Sequence, residues 1–323
     1  MTFDKRKVLL ISVVSLATLA SVVGIVPLRP ATHERRDVPA PHAPQRPVPA
    51  LLSSSSTADK ARLTEAVETA GTTPAAPALA APAAEQNRLL RESLRWTFGG
   101  KPQRGWAIYV PLIQRLIGTD ADAASENFAA SLARWQKGAG LGASGVLDEA
   151  TLMRMIATWQ GRRHRNSAYP QPDQLLTAPA AEFWDASRAE ELRQVERQTY
   201  AAYKRMLAAA IADSSLQLAG RNGELAASEK YLKIISAFRS REYQDRLRKL
   251  EPGAGRAALA VNSPHFTGRA LDLYVGGEPT ITKDPNRLLQ TETRAYRWLV
   301  RNAERFGFCP YFYEPWHWEY CAQ

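Results

Sequence analysis

The chain has 323 residues, 45% of them hydrophobic, which is long for one ordinary domain and apolar enough to bury a core, so two compact units joined by flexible material are expected. Its formal charge of +10 suits an anionic partner such as a membrane surface or an acidic polymer, or simply a solvated basic surface. No nucleic-acid-binding signature accompanies the scattered Lys and Arg residues, so nucleic acid is excluded as the expected partner.

Lys5-Arg6-Lys7 precede an uncharged apolar run, VLLISVVSLATLASVVGIV, that ends at Pro27. A run of about 20 residues crosses a hydrocarbon core of roughly 30 Å, and the cations before it set an N-inside orientation. Residues 1–28 are therefore read as an export element. Thr18-Leu19-Ala20 is a poor small-residue cleavage site, which favours a retained transmembrane anchor over a removed signal peptide. The expected location is the cell envelope, periplasmic or otherwise extracytoplasmic, with the membrane contacted through this segment. Residues 29–84 turn to Pro, Ala, Ser and Thr without sustained apolar periodicity and read as a linker, with at most a short helix over 58–69.

Residues 85–163 are helical by pattern, with Leu112, Ile113, Leu116 and Ile117, then Phe128, Leu132 and Trp135, at three- and four-residue spacing. Asp148 is placed to cap a further helix, EATLMRMIATWQ. Trp135-Gln136, Gly140-Leu141, Ser144-Gly145 and Thr151 together resemble the three-helix peptidoglycan-binding domain. That resemblance implies an all-α unit held on the bacterial cell wall; a plain helical spacer gives the same pattern. Ser144 stands where that family often has Asp, and Asp148 where it often has Gly, departures that bear on ligand binding more than on fold.

A second break at 164–180 separates this unit from residues 181–323. There the pattern predicts a long helix over 185–212, a turn at Arg221-Asn222-Gly223, and a β-branched run from Tyr231 to Ile235. Strands are expected over 270–275 and 312–320, with a helix over 293–306 ending at Gly307 and Trp298 and Phe306 in the core. The fold class is α+β: a small antiparallel-sheet domain preceded by the helical unit.

Of five histidines, His33 and His42 fall in the linker and His164 in the second break, leaving His265 and His317 in the C-terminal unit. Hydrolytic metal sites take neutral imidazole and carboxylate ligands and keep one position open. In Ser263-Pro264-His265-Phe266-Thr267-Gly268-Arg269-Ala270-Leu271-Asp272, a continuous strand would send His265 and Asp272 to opposite faces. A turn at Gly268 would bring both to one point. In Glu314-Pro315-Trp316-His317-Trp318-Glu319-Tyr320, Pro315 disfavours helix, and a kink there can aim Glu314 and His317 together, with Trp316 and Trp318 walling the site. Arg241, Arg246, Arg248 and Lys249 read as a solvated helical face.

The patterns SxHxxGxAxD and ExWH resemble the VanY-like D-alanyl-D-alanine carboxypeptidases, a family of zinc peptidases, over roughly residues 198–320. The resemblance implies Zn2+ held by His265, Asp272 and His317, with Glu314 as catalytic base. Ser236-Ala237-Phe238-Arg239-Ser240 with Gln244 looks like a further block of the family, which implies that Arg239 stabilises developing charge and contacts substrate alongside Gln244 and Ser263. Phe238 replaces a commoner Tyr, and Pro264 and Phe266 replace residues that are often polar. The implied activity is removal of the terminal D-alanine from peptidoglycan stem peptides. The alternatives are an L,D-carboxypeptidase, a stem-peptide endopeptidase, or a zinc-containing wall-binding protein without activity. Cys309 and Cys321 bracket the ExWH segment. In an oxidising compartment they close a loop around it, in a reducing one they stay thiols, and the export element favours the disulfide.

Overall fold

The computed structural model describes residues 77–163, 168–250 and 263–322, all within one compact unit. The expected export element and the linker as far as residue 76 lie outside these residues. Among the described residues no helix is long and apolar enough to cross a membrane.

Helix α1 (Pro77–Ser93) takes in the last eight residues of the expected linker. Pro77 suits a first helical position and alanine is the strongest helix former, so this Ala-rich stretch folds once it has something to cover. It does: Ala80, Ala83 and Ala84 are buried. The next ten residues depart from the all-α expectation. Strands β1 (Arg95–Phe98) and β2 (Lys101–Arg104) form an antiparallel hairpin. Gly99 and Gly100, at φ 57° and 75°, supply the two positive φ values that a two-residue hairpin turn requires.

Helices α2 (Val110–Ile117), α3 (Glu126–Gly138) and α4 (Glu149–Arg162) follow. Ser125 caps α3 by accepting from the Phe128 N–H, and Asp148 caps α4 by accepting from the Thr151 N–H at 2.8 Å. Buried Gln136 donates to the Val146 carbonyl and the Thr151 hydroxyl, both at 2.9 Å, and accepts from the Gly145 N–H. Asn87 of α1 holds the same turn, donating to the Gly145 carbonyl and accepting from the Leu147 N–H. The Trp-Gln and Ser-Gly residues of the wall-binding resemblance thus include a clasp that joins α1, α3 and α4.

Beyond them, β3 (Leu175–Thr177) pairs antiparallel with β4 (Gln194–Glu196). The expected break at 164–180 therefore contributes a strand to the fold. Helix α5 (Arg197–Ala212) begins well after the expected residue 185 because Glu196 caps it, its carboxylate accepting from the Gln198 and Thr199 N–H groups. A short hairpin, β5 (Gly220–Arg221) and β6 (Glu224–Leu225), turns at Asn222-Gly223. Then come β7 (Ile234–Ser236), α6 (Arg241–Leu250), β8 (Ala270–Leu273), α7 (Asp284–Glu292), α8 (Arg294–Asn302), β9 (Phe308–Pro310) and β10 (His317–Tyr320). The strand expected over 312–320 is confined to its last four residues, because a tight turn around Pro315 occupies the rest. The α+β class holds, with four antiparallel strands in the order β7-β8-β10-β9 at the centre.

The helical and C-terminal parts share one core. Phe312 meets Phe98 edge-on, tilts against Tyr109 and stacks on Trp159, at ring separations of 4.8, 5.6 and 6.0 Å. Burying each such side chain contributes about 1.5–3 kcal/mol, enough to fix the two parts together. Fully buried Arg287 of α7 reinforces the joint, donating to the Tyr109 hydroxyl at 3.3 Å and the Tyr313 carbonyl at 3.1 Å.

Candidate active site

The site is assembled on one row of the central sheet. Asp272 of β8 lies opposite His317 of β10 on one side and opposite Ser236 of β7 on the other. Residues facing each other across antiparallel strands share a sheet face, so this register alone brings carboxylate and imidazole together. An irregularity between Ile234 and Ser236 adjusts how β7 presents Ser236 to that row.

His265 arrives from outside the sheet. It sits in a 3-10 turn, Pro264–Thr267, whose start is capped by the Ser263 hydroxyl accepting from the His265 N–H at 3.3 Å. Gly268 ends the turn in the left-handed region at φ 68°, and β8 begins two residues later. This is the expected role of Gly268. A Cβ there would lie 3.0 Å from the Glu196 Cβ and 3.1 Å from its backbone nitrogen.

Buried His265, Asp272 and His317 each offer a donor atom, all within 4.8 Å of one another. His265 Nε2 is 3.3 Å and His317 Nδ1 is 3.0 Å from Asp272 Oδ1. The opposite nitrogen of each ring is already engaged. His265 Nδ1 lies 2.6 Å from the Ala237 carbonyl, which can only accept, so Nδ1 carries the proton and Nε2 presents a lone pair. His317 Nε2 lies 3.2 Å from Glu319 Oε1. Two imidazoles locked from behind and one carboxylate form a donor set that fits a zinc ion.

Burial works against the charged form of His265 and, with Arg239 nearby, brings its pKa down to about 4. For His317 burial acts the same way, but hydrogen bonds to Asp272 and Glu319 outweigh it and raise the pKa to about 9. Burial opposes ionisation of Asp272, yet His265, His317 and Arg239 hold it well below the usual carboxylate range.

Arg239 donates from Nη2 to Asp272 Oδ2 and from Nε to the Ser236 hydroxyl, both at 2.9 Å. One of its donors therefore steadies the Asp272 carboxylate, and the other ties the guanidinium to β7. Glu314 is 8% exposed, and its carbonyl accepts from the His317 N–H at 2.9 Å, closing the turn that contains Pro315. Burial raises its carboxyl to about 7, within electrostatic reach of His317, Asp272, Arg239 and Arg163. Gln244 is buried in the first turn of α6, bonded through its backbone to Ser240. Ser263 acts here on the His265 turn.

Trp318 departs from the expected wall of the site. Strand alternation turns it to the face opposite His317, where it donates to the Pro315 carbonyl and meets Tyr296 edge-on. Trp316 is likewise core, at 2% exposure. The same alternation brings in Glu319, two residues beyond His317 on the same face, which the sequence reading passes over. Tyr311 is a further neighbour, its ring edge-on to His317 at 5.8 Å. Cys309 and Cys321 form a disulfide, with Cα atoms 6.0 Å apart, that ties β9 to the end of β10.

No curated protein matches the chain. Among solved structures, the LdcB LD-carboxypeptidase, described as revealing the molecular basis of peptidoglycan recognition, is 24% identical, with 49% of this chain and 72% of that one covered and a TM-score of 0.32. The family model that matches is VanY, D-alanyl-D-alanine carboxypeptidase, over residues 192–323. That match takes in His265, Asp272, Glu314 and His317.

Proposed function

We propose that this chain is a zinc-dependent D-alanyl-D-alanine carboxypeptidase that removes the terminal D-alanine from peptidoglycan stem peptides at the cell envelope. The observation that carries the reading is the convergence of His265, Asp272 and His317 with a buried carboxyl, Glu314, beside them. A bound zinc ion would supply Lewis acidity, making water nucleophilic near neutral pH and polarising the scissile carbonyl.

The protein's own groups do the rest. Glu314, buried beside the donor set, is the carboxylate that takes a proton from the attacking water and returns it to the departing amine. Arg239 brings a permanent positive charge, held by Asp272 and Ser236, to where negative charge develops on the carbonyl oxygen. Gln244 and Ser263 complete the proposed binding of the peptide end. The helical segment is proposed to hold the enzyme on the wall, and the apolar run near the N-terminus to anchor it.

The test is incubation of the full-length chain with a stem pentapeptide and, separately, a stem tetrapeptide, each with and without chelator, read by mass spectrometry. Release of D-alanine from the pentapeptide, abolished by chelator and restored by zinc, is the expected result. Release from the tetrapeptide alone would make the enzyme an L,D-carboxypeptidase, and an internal fragment would make it an endopeptidase. Zinc retention without any cleavage would reduce it to a wall-binding protein.

A further inference from the structure

Glu319 connects the metal cluster to a residue from the other end of the fold. Its Oε1 faces His317 Nε2 at 3.2 Å and is thereby the group that sets which nitrogen of His317 points to Asp272 and His265. Glu319 is 1% exposed, so its carboxylate depends on protein donors to remain charged and in place. Arg163 supplies two, Nε at 2.9 Å and Nη2, both directed at the same Oε1.

Arg163 caps the C-terminus of α4, in the helical segment, 156 residues before Glu319. Its guanidinium is fixed on three sides. Nη1 donates to Gln160 Oε1 at 3.1 Å, and Cζ lies over the ring of Tyr311, 4.1 Å from its centroid; that ring itself packs edge-on against His317. Lysine cannot reproduce this: it offers a point charge, while the arginine fork directs two N–H groups at one oxygen and stacks on an aromatic face.

We propose that Arg163 is a positioning residue of the metal centre, acting through Glu319 to fix the His317 imidazole, so that the helical segment completes the site as well as flanking it. The inference rests on the zinc reading above. It assigns α4 a task inside the catalytic unit that wall binding does not require.

The experiment measures zinc dissociation constants on the full-length chain by competition with a fluorescent chelator, for wild type, Arg163→Gln, Arg163→Lys, Glu319→Gln and the Arg163→Gln/Glu319→Gln double variant. Near-ultraviolet circular dichroism checks that each is folded. Arg163→Gln is expected to weaken zinc binding about tenfold, Arg163→Lys to recover part of that loss, and the double variant to be no weaker than Glu319→Gln alone. An Arg163→Gln protein with wild-type affinity, or losses that simply add in the double variant, would overturn the positioning role while leaving the zinc reading intact. A folded wild type that takes up no zinc would overturn both. If Arg163→Gln does not fold, the comparison of Arg163→Lys with wild type decides: unchanged affinity refutes the role.

Discussion

Replacing Glu314 by Gln tests the site through stability as well as through turnover. Burial raises the Glu314 carboxyl from 4.5 to about 7, so the folded metal-free protein holds this proton more tightly than the unfolded chain does. At about 1.4 kcal/mol per pKa unit, ionising the group in place costs the fold about 3 kcal/mol. The sign follows from the direction of the shift. The contribution of protonated Glu314 is complete below pH 4.5 and disappears as pH rises through about 7. Glutamine keeps the shape and never ionises. Metal-free wild type and Glu314→Gln should therefore unfold alike near pH 4 and diverge as pH rises from 4.5 through about 7, the variant being more stable by about 3 kcal/mol above about pH 8. For a unit of this size that corresponds to a melting-temperature gap of about 6–12 °C. Zinc should narrow the gap, because a nearby cation favours the ionised carboxylate. Thermal unfolding at a series of pH values, with and without zinc, provides the readout. Parallel stability curves across the range would refute the buried-carboxyl argument, and undiminished peptide hydrolysis by the variant would refute its assignment as base.

Gly268→Val should drop zinc content to background although no donor is removed, since the side chain would meet Glu196 in a left-handed backbone; normal zinc stoichiometry by atomic absorption contradicts this geometry. Reducing the Cys309–Cys321 disulfide, 12 residues apart in sequence, should lower stability by about 3 kcal/mol, read as a fall in melting temperature with reductant; an unchanged transition would mean the bond is not closed in solution. Asn87→Ala strips partners from a buried carbonyl and N–H at the α3–α4 turn, so a loss of about 3 kcal/mol in denaturant unfolding is expected, and a loss under about 0.5 kcal/mol would contradict the clasp.

The convergence of His265, Asp272 and His317 is partly legible in the sequence because each lies in a short motif punctuated by Gly or Pro, where local chemistry decides which way the chain turns. Gly268 shows this: the odd spacing from His265 to Asp272 forces a turn, and the only permissive residue between them adopts the left-handed conformation. Glu319 is half legible: period-two alternation along the strand expected over 312–320 puts it on the His317 face, but no local pattern says that its carboxylate reaches the His317 ring. The pairing of Asp272 with His317 is a register between segments 45 residues apart, and no local pattern encodes it. Arg163 leaves no trace at all, looking like one of several basic residues at a helix end. In the helical segment, Trp96-Thr97-Phe98 followed by Gly99-Gly100 carries a hairpin signal that the surrounding helical periodicity obscures. Helix α7 opens on Asp284-Pro285, a readable start, but its short length hides the periodicity that would confirm it.

The placement of β10 has a consequence for how the molecule comes together. It follows every other described strand in chain order, yet it lies inside the sheet, between β8 and β9. The last strand to appear thus brings His317, the partner of Arg163, and one half of the disulfide in a single insertion. Contacts spanning 45 and 156 residues must form in that step, and such distant closures are slow to be found. The candidate donors meet only once these distant segments have closed, so zinc uptake by the chain would report a completed central sheet.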